Sequence, residues 1–165
     1  FLLRHSHLYA HYRIWNKQKS VQTGQDHTRQ NWQDELKIFS SVGKGRLQQL
    51  QQQSKRALQE LQERTSGRNI SLMVAIAPPA FVVDQSRLAP TFSLVDLDVE
   101  QALVDAPQQS ALRLLQQLNI PACDLTSALR TAEQQEPTYL TFDGHWTEHG
   151  HRTVAKQLSK CLENL

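Results

Sequence analysis

At 165 residues, with 39% hydrophobic and 21% charged residues, the chain has the length and composition of one folded domain able to bury a core. Its 18 Lys and Arg are mixed with 16 Asp and Glu for a formal charge of +2, and no polybasic run tracks phosphates, so nucleic acid is not an expected partner. No apolar run reaches the ~18 residues of a membrane span, and no small-residue cleavage site follows the first segment.

The sequence opens on Phe1 rather than Met, from which further chain upstream is expected. In the first segment Leu2, Leu3, Leu8, Tyr9, Tyr12 and Trp15 recur at near-helical spacing and predict an amphipathic helix, followed by a polar loop around Gly24. A second helix is expected from Gln30 through Trp32, Leu36 and Phe39. It breaks near Gly43 and Gly45 and resumes as a long helix with Leu47, Leu50, Leu58 and Leu61, closed by Gly67 as C-cap. The glutamines of that tract then form a solvated helix face. Gly43-Lys44-Gly45 lacks the frame of a phosphate-binding loop and reads as a helix break. Trp15 and Trp32 are expected as core or interface anchors.

Residues 70–79, ISLMVAIAPP, form a continuous apolar run closed by two prolines, which predicts a strand buried on both faces. The following stretch through Glu100 reads as irregular, and Asp96, Asp98, Glu100 and Asp105 as a solvated acidic patch without calcium-loop spacing. A helix over 108–118 carries Leu112, Leu115 and Leu118 inward. IPACDL, residues 120–125, is a second short strand, and a short helix runs from Thr126 through Leu129. The last helix begins after Thr147 with Val154, Leu158, Cys161, Leu162 and Leu165 on one face. Helix, strand, helix, strand, helix is the rhythm of a three-layer α/β fold with a parallel sheet, here with its N-terminal side incomplete. Cys123 and Cys161 form no C-x-x-C and are expected as a buried free pair, packing as small hydrophobes.

The chemistry concentrates in YLTFDGHWTEHGH, residues 139–151. Asp-x-His alone is common, but Trp next to the His and Gly four positions after that Trp make the string specific. Residues 139–142 should be extended, Gly144 should permit a sharp turn, and Thr147 should cap the last helix with Glu148 in its first turn. Asp143 and His145 then sit on a loop at a strand end, where α/β folds place reacting groups. An Asp that accepts from one ring nitrogen of a His fixes its tautomer and leaves the other nitrogen as a general base. Two other readings compete. Asp143, His145, His149 and His151 are chemically able to bind zinc or iron, but His149 and His151 would diverge by about 200° on one helical turn and no H-E-x-x-H spacing occurs. A plain helix start with a packed Trp is the third.

D-G-H-W-T-x-x-G-H before a last helix, followed by R-x-x-A-x-x-L, resembles the C-terminal block of SGNH/GDSL-type hydrolases. The early HSHLY, the strand ending in IAPP and the IPACDL segment look like the second half of that family's flavodoxin-like domain, so residues 1–165 would be the C-terminal portion of one such domain. The resemblance implies His145 as general base toward a serine, Asp143 as its orienting partner, Trp146 as a packing or substrate-lining residue, and Thr147 and His151 as structural neighbours. The D-x-H-W form is also similar to alginate O-acetylation proteins, which implies carbohydrate O-acyl groups as substrate and a periplasmic or envelope location; no cofactor or metal is expected. The family's G-D-S nucleophile and its Gly and Asn-Asp oxyanion blocks do not occur here. Ser6, beside His5 and His7, lacks the strand–turn–helix setting of a nucleophile. The serine is therefore expected upstream. The sequence reading is thus a serine esterase half, with a polysaccharide O-acetyltransferase, a non-catalytic carbohydrate-binding or scaffold domain, and a helical interaction protein as the alternatives.

Overall fold

The structure, a computed structural model, describes residues 33–141, 143–163 and 165. The expected first helix with its Trp15, the loop after it, Ser6 and Trp32 lie outside these residues. Residues 33–37 are helical, a 3-10 turn spans Ser41–Gly43, and α1 runs over Lys44–Ser66. The break has a steric cause: a Cβ on Gly43 would stand 1.9 Å from the Lys37 carbonyl oxygen, so the chain can fold back only over a glycine. Gly67 does cap α1, its N–H reaching the Glu63 carbonyl, but in right-handed geometry. The left-handed turn falls instead on Asn69 (φ 54°), after which the Ile70 N–H returns to the Thr65 carbonyl at 3.0 Å.

Strand β1, Val74–Ile76, pairs in parallel with β2, Ala122–Asp124, with Ala75 opposite Cys123. This parallel pair flanked by helices is α/β in kind and removes an all-helical reading. The strand is shorter than residues 70–79 and is not buried on both faces: Ile70 is exposed, Ala75 is exposed, and Val74 and Ile76 are half-buried. Pro78 and Pro79, which lack N–H groups, end the ladder. On one flank β1 borders an apolar cleft of about 470 Å³ between α1 and a later helix, lined by Leu47, Leu50, Leu58 and Leu114.

The stretch expected to be irregular is a chain of short helices: α2 at Ala80–Val83, a 3-10 turn at Gln85–Arg87, α3 at Leu88–Ser93 and a 3-10 turn at Val99–Gln101. They form because Asp84 and Asp98 accept the N–H two residues on, and because Pro90 sits in the first turn of α3, where its missing N–H has no intrahelical use. Phe81, Val82, Phe92 and Val95 thereby pack with Leu36 as one core cluster. The acidic patch is partly structural, since Asp98 caps and Asp105 pairs with Arg130 at 2.6 Å.

Helix α4 spans Ala106–Gln117 with Pro107 in its first turn. It buries Leu114 and Leu115, while Leu112 and Leu118, expected inward, are only half-buried. Helix α5 continues to Glu133, beyond the expected Leu129, and α6 spans Glu148–Leu162. A second cluster joins Val83, Leu125, Leu129, Tyr139 and Val154 around Cys123. Cys123 and Cys161 are not free. Packing of α6 on β2 brings their Cα atoms to 5.8 Å and they form a disulfide across 38 residues, a contact that sequence separation hides. The buried face of α6 ends there, with Leu162 and Leu165 exposed. No helix among the described residues is long and apolar enough to cross a membrane.

Candidate active site

Between α5 and α6 the chain is pinned on every side before it reaches Asp143. Pro137 follows the end of α5, and the Glu133 carboxylate accepts both the N–H of Thr138, at 2.6 Å, and its hydroxyl. Tyr139 is buried and donates its phenol to the Pro78 carbonyl, which ties the segment to the end of β1. Burial holds that phenol above its ordinary pKa, so it remains a donor. Tyr139 faces Trp146 across an antiparallel bridge, closed by Leu140 N–H to the His145 carbonyl and Thr147 N–H to the Thr138 carbonyl, each at 2.9 Å. Asp143 and Gly144 thus lie at the tip of a tight loop.

The far side of the loop enters α6. Thr147 caps it as the sequence predicts, accepting from the Gly150 N–H at 3.1 Å and donating to the Pro137 carbonyl at 2.7 Å. Gly150 is required by close approach: a Cβ there would stand 2.1 Å from the Thr138 carbonyl oxygen and 3.0 Å from the Trp146 Cβ. The Gly four positions after Trp146 therefore has a physical reason, because α6 begins directly against the incoming segment at Thr138.

At the tip, Asp143 takes two bonds from the same residue. Its Oδ1 accepts the backbone N–H of His145 at 2.9 Å, and its Oδ2 lies 3.0 Å from His145 Nδ1. The Asp143 carboxyl is held below its ordinary value chiefly by that backbone N–H, with desolvation opposing and the imidazole adding. It is ionised at neutral pH and sets the tautomer with the proton on Nδ1. The Nε2 of His145 has no protein partner among the described residues, and the ring is 81% exposed. The pair can orient a base and stabilise an imidazolium, and it presents Nε2 outward.

The other predicted residues take different places. Trp146 is half-buried, edge-on to His151 at 5.5 Å and to Tyr139 at 6.5 Å, and packs on the cluster around Leu129 and Val154. His149 turns the other way, its Nε2 3.3 Å from the Ala132 carbonyl and its Nδ1 3.6 Å from the Glu136 carboxylate. Among the described residues no group of three or more His, Cys, Asp or Glu is placed to hold a metal ion. Arg87 escaped the sequence reading altogether: it donates to the carbonyls of Leu140 at 2.7 Å and Tyr139 at 3.1 Å. The only local signal was Asp84-x-x-Arg87, an i, i+3 charge pair in a segment without hydrophobic rhythm.

Against known families, residues 40–165 match the model of an SGNH hydrolase-like domain, that of acetyltransferase AlgX. Comparison with curated proteins and with solved structures gives no match.

Proposed function

Since the chain belongs to the SGNH hydrolase-like family of acetyltransferase AlgX, we propose that Asp143 and His145 are the base half of a serine-type acyl-transfer site acting on O-acyl esters of carbohydrates. The observation that carries this reading is the double hold of Asp143 on His145, through Nδ1 and the backbone N–H, with Nε2 left open. In the proposed reaction the serine hydroxyl gives its proton to His145 Nε2 as its oxygen bonds to the ester carbonyl carbon. Collapse of the tetrahedral adduct breaks the ester C–O bond, and His145 returns the proton to the departing alcohol. Water or a polysaccharide hydroxyl then takes the acyl group by the same steps in reverse order, which makes the enzyme an esterase or an O-acetyltransferase. Trp146 would border the substrate, with Thr147 and His151 holding the loop.

The described residues place no hydroxyl on His145 Nε2, and the sequence has no G-D-S block, so the serine and the oxyanion donors are proposed to come from sequence beyond these 165 residues, which would form part of one domain. The 165-residue chain alone should therefore hydrolyse aryl acetates no faster than buffer. In the full-length protein His145→Ala should lower kcat by about 10²–10⁴-fold, and Asp143→Asn should do the same through loss of the tautomer. Full activity in the full-length His145→Ala variant would sink the reading. A full-length protein with no acyl-transfer activity that still binds carbohydrate would favour the non-catalytic scaffold, a reading supported by the exposure of His145.

A further inference from the structure

The loop that carries Asp143 and His145 is exposed at its tip, yet its base is held by a charged group from a distant part of the chain. Arg87, in the 3-10 turn after α2, has a side chain only 20% exposed. It spends all three of its nitrogens on different acceptors: Nε on Asp84 Oδ2 at 3.0 Å, one terminal nitrogen on the Leu140 carbonyl at 2.7 Å, the other on the Tyr139 carbonyl at 3.1 Å. Leu140 is also the residue whose N–H donates to the His145 carbonyl at 2.9 Å. The Tyr139–Leu140 peptide unit thus stands alone between the guanidinium and the main chain of His145. Asp84 is fixed in turn, its Oδ1 accepting from the Ser86 hydroxyl at 2.6 Å and the Ser86 N–H at 3.0 Å. Its carboxyl is held below the ordinary value, mainly by the Ser86 hydroxyl, with desolvation opposing and Arg87 helping, so it stays ionised beneath the guanidinium.

A planar fork suits this work and an ammonium does not. Three acceptors in fixed directions need donors in fixed directions, and Arg supplies them with little further loss of side-chain freedom. Without the guanidinium, the Tyr139 and Leu140 carbonyls and Asp84 Oδ2, all shielded in part from water, lose this donor together. The bond from Leu140 to His145 would remain, but the main chain at Tyr139 and Leu140 would lose its bonds to the turn after α2, leaving the Tyr139 side chain, on the Pro78 carbonyl and against Val83, to hold the segment.

We infer that Arg87, oriented by Asp84, is the positioning residue that sets the height and angle of the Asp143–His145 loop; its activity test rests on the acyl-transfer reading above. In the full-length enzyme, Arg87→Gln should lower kcat about 10–100-fold, the cost of an ångström-scale misplacement, while KM changes little. Arg87→Lys, which keeps the charge and loses the fork, should recover only a minor part of it. The ring resonances of His145, identified by their loss in His145→Ala, should shift and broaden in Arg87→Gln. A purely structural arginine would lower the melting temperature and the folded yield but leave the kcat of folded molecules and the His145 resonances as they were. That result overturns the inference. If Arg87→Gln fails to fold, Asp84→Asn, which keeps the guanidinium and frees it, carries the same two readouts. Activity that survives His145→Ala removes the acyl-transfer reading alone, since the His145 resonances still decide the role of Arg87.

Discussion

Helices α1 and α6 begin from similar sequence material, leucines at helical spacing among polar residues, and end up held in opposite ways. Helix α1 runs 23 residues and buries none of them; its N-cap is Gly43, with no side-chain bond to the first turn. Its leucines line one wall of an open apolar cleft. Helix α6 runs 15 residues, is capped by the Thr147 hydroxyl, and buries Gly150 and Val154. It touches its surroundings through a glycine with no room for a methyl group and through a disulfide near its end. Hydrophobic period decides that a helix forms. A few unforgiving contacts decide where it stands: α1 has one, at its N-cap Gly43 against the Lys37 carbonyl, whereas α6 has a first-turn glycine, a hydroxyl cap and a disulfide.

The largest break in this contrast should come from the disulfide. Removing a cross-link across 38 residues restores unfolded-chain entropy worth roughly 3–4 kcal/mol. A Cys123→Ala, Cys161→Ala chain should show that loss in urea denaturation, and amide exchange should rise along α6 while α1 is unchanged. Equal loosening of both helices would mean that the two regions fold as one unit. Next is Gly150→Ala. A methyl carbon 2.1 Å from the Thr138 carbonyl oxygen forces the Thr138 segment and α6 apart, at about 1–3 kcal/mol or more. It should also depress any His145-dependent rate, because Thr138 anchors the segment that leads to the loop. An unchanged melting temperature would show that α6 can slide, contrary to the reading of a fixed entry.

How much of this was legible follows the same division. The α6 entry was readable because its constraints are local: Thr147 caps three residues ahead, Asp143 reaches two residues ahead, and the string spells the contact out. The short helices at Ala80–Val83 and Leu88–Ser93 were missed because they depend on aspartate caps and a buried phenylalanine cluster rather than on a period. The extent of β1 was overread, since a run of apolar residues cannot say how many neighbours a strand will have. The disulfide and the Arg87 clamp join residues 38 and about 50 positions apart, respectively, and nothing in a linear pattern points from one end to the other.

The smallest effect tests the open side of the comparison. Gly45 lies in the first turn of α1, and a Cβ there would meet nothing within 4 Å. Gly45→Ala should therefore raise stability by up to about 1 kcal/mol, from the reduced freedom of the unfolded chain and the better helix propensity of alanine. The same chemical change thus carries opposite signs at Gly45 and Gly150. The sign depends on whether the helix start faces solvent or a carbonyl. Paired denaturation curves for the two variants measure that difference directly. If Gly45→Ala destabilises, the first turn of α1 is covered in the folded protein, and α1 carries a close contact there as well as at Gly43.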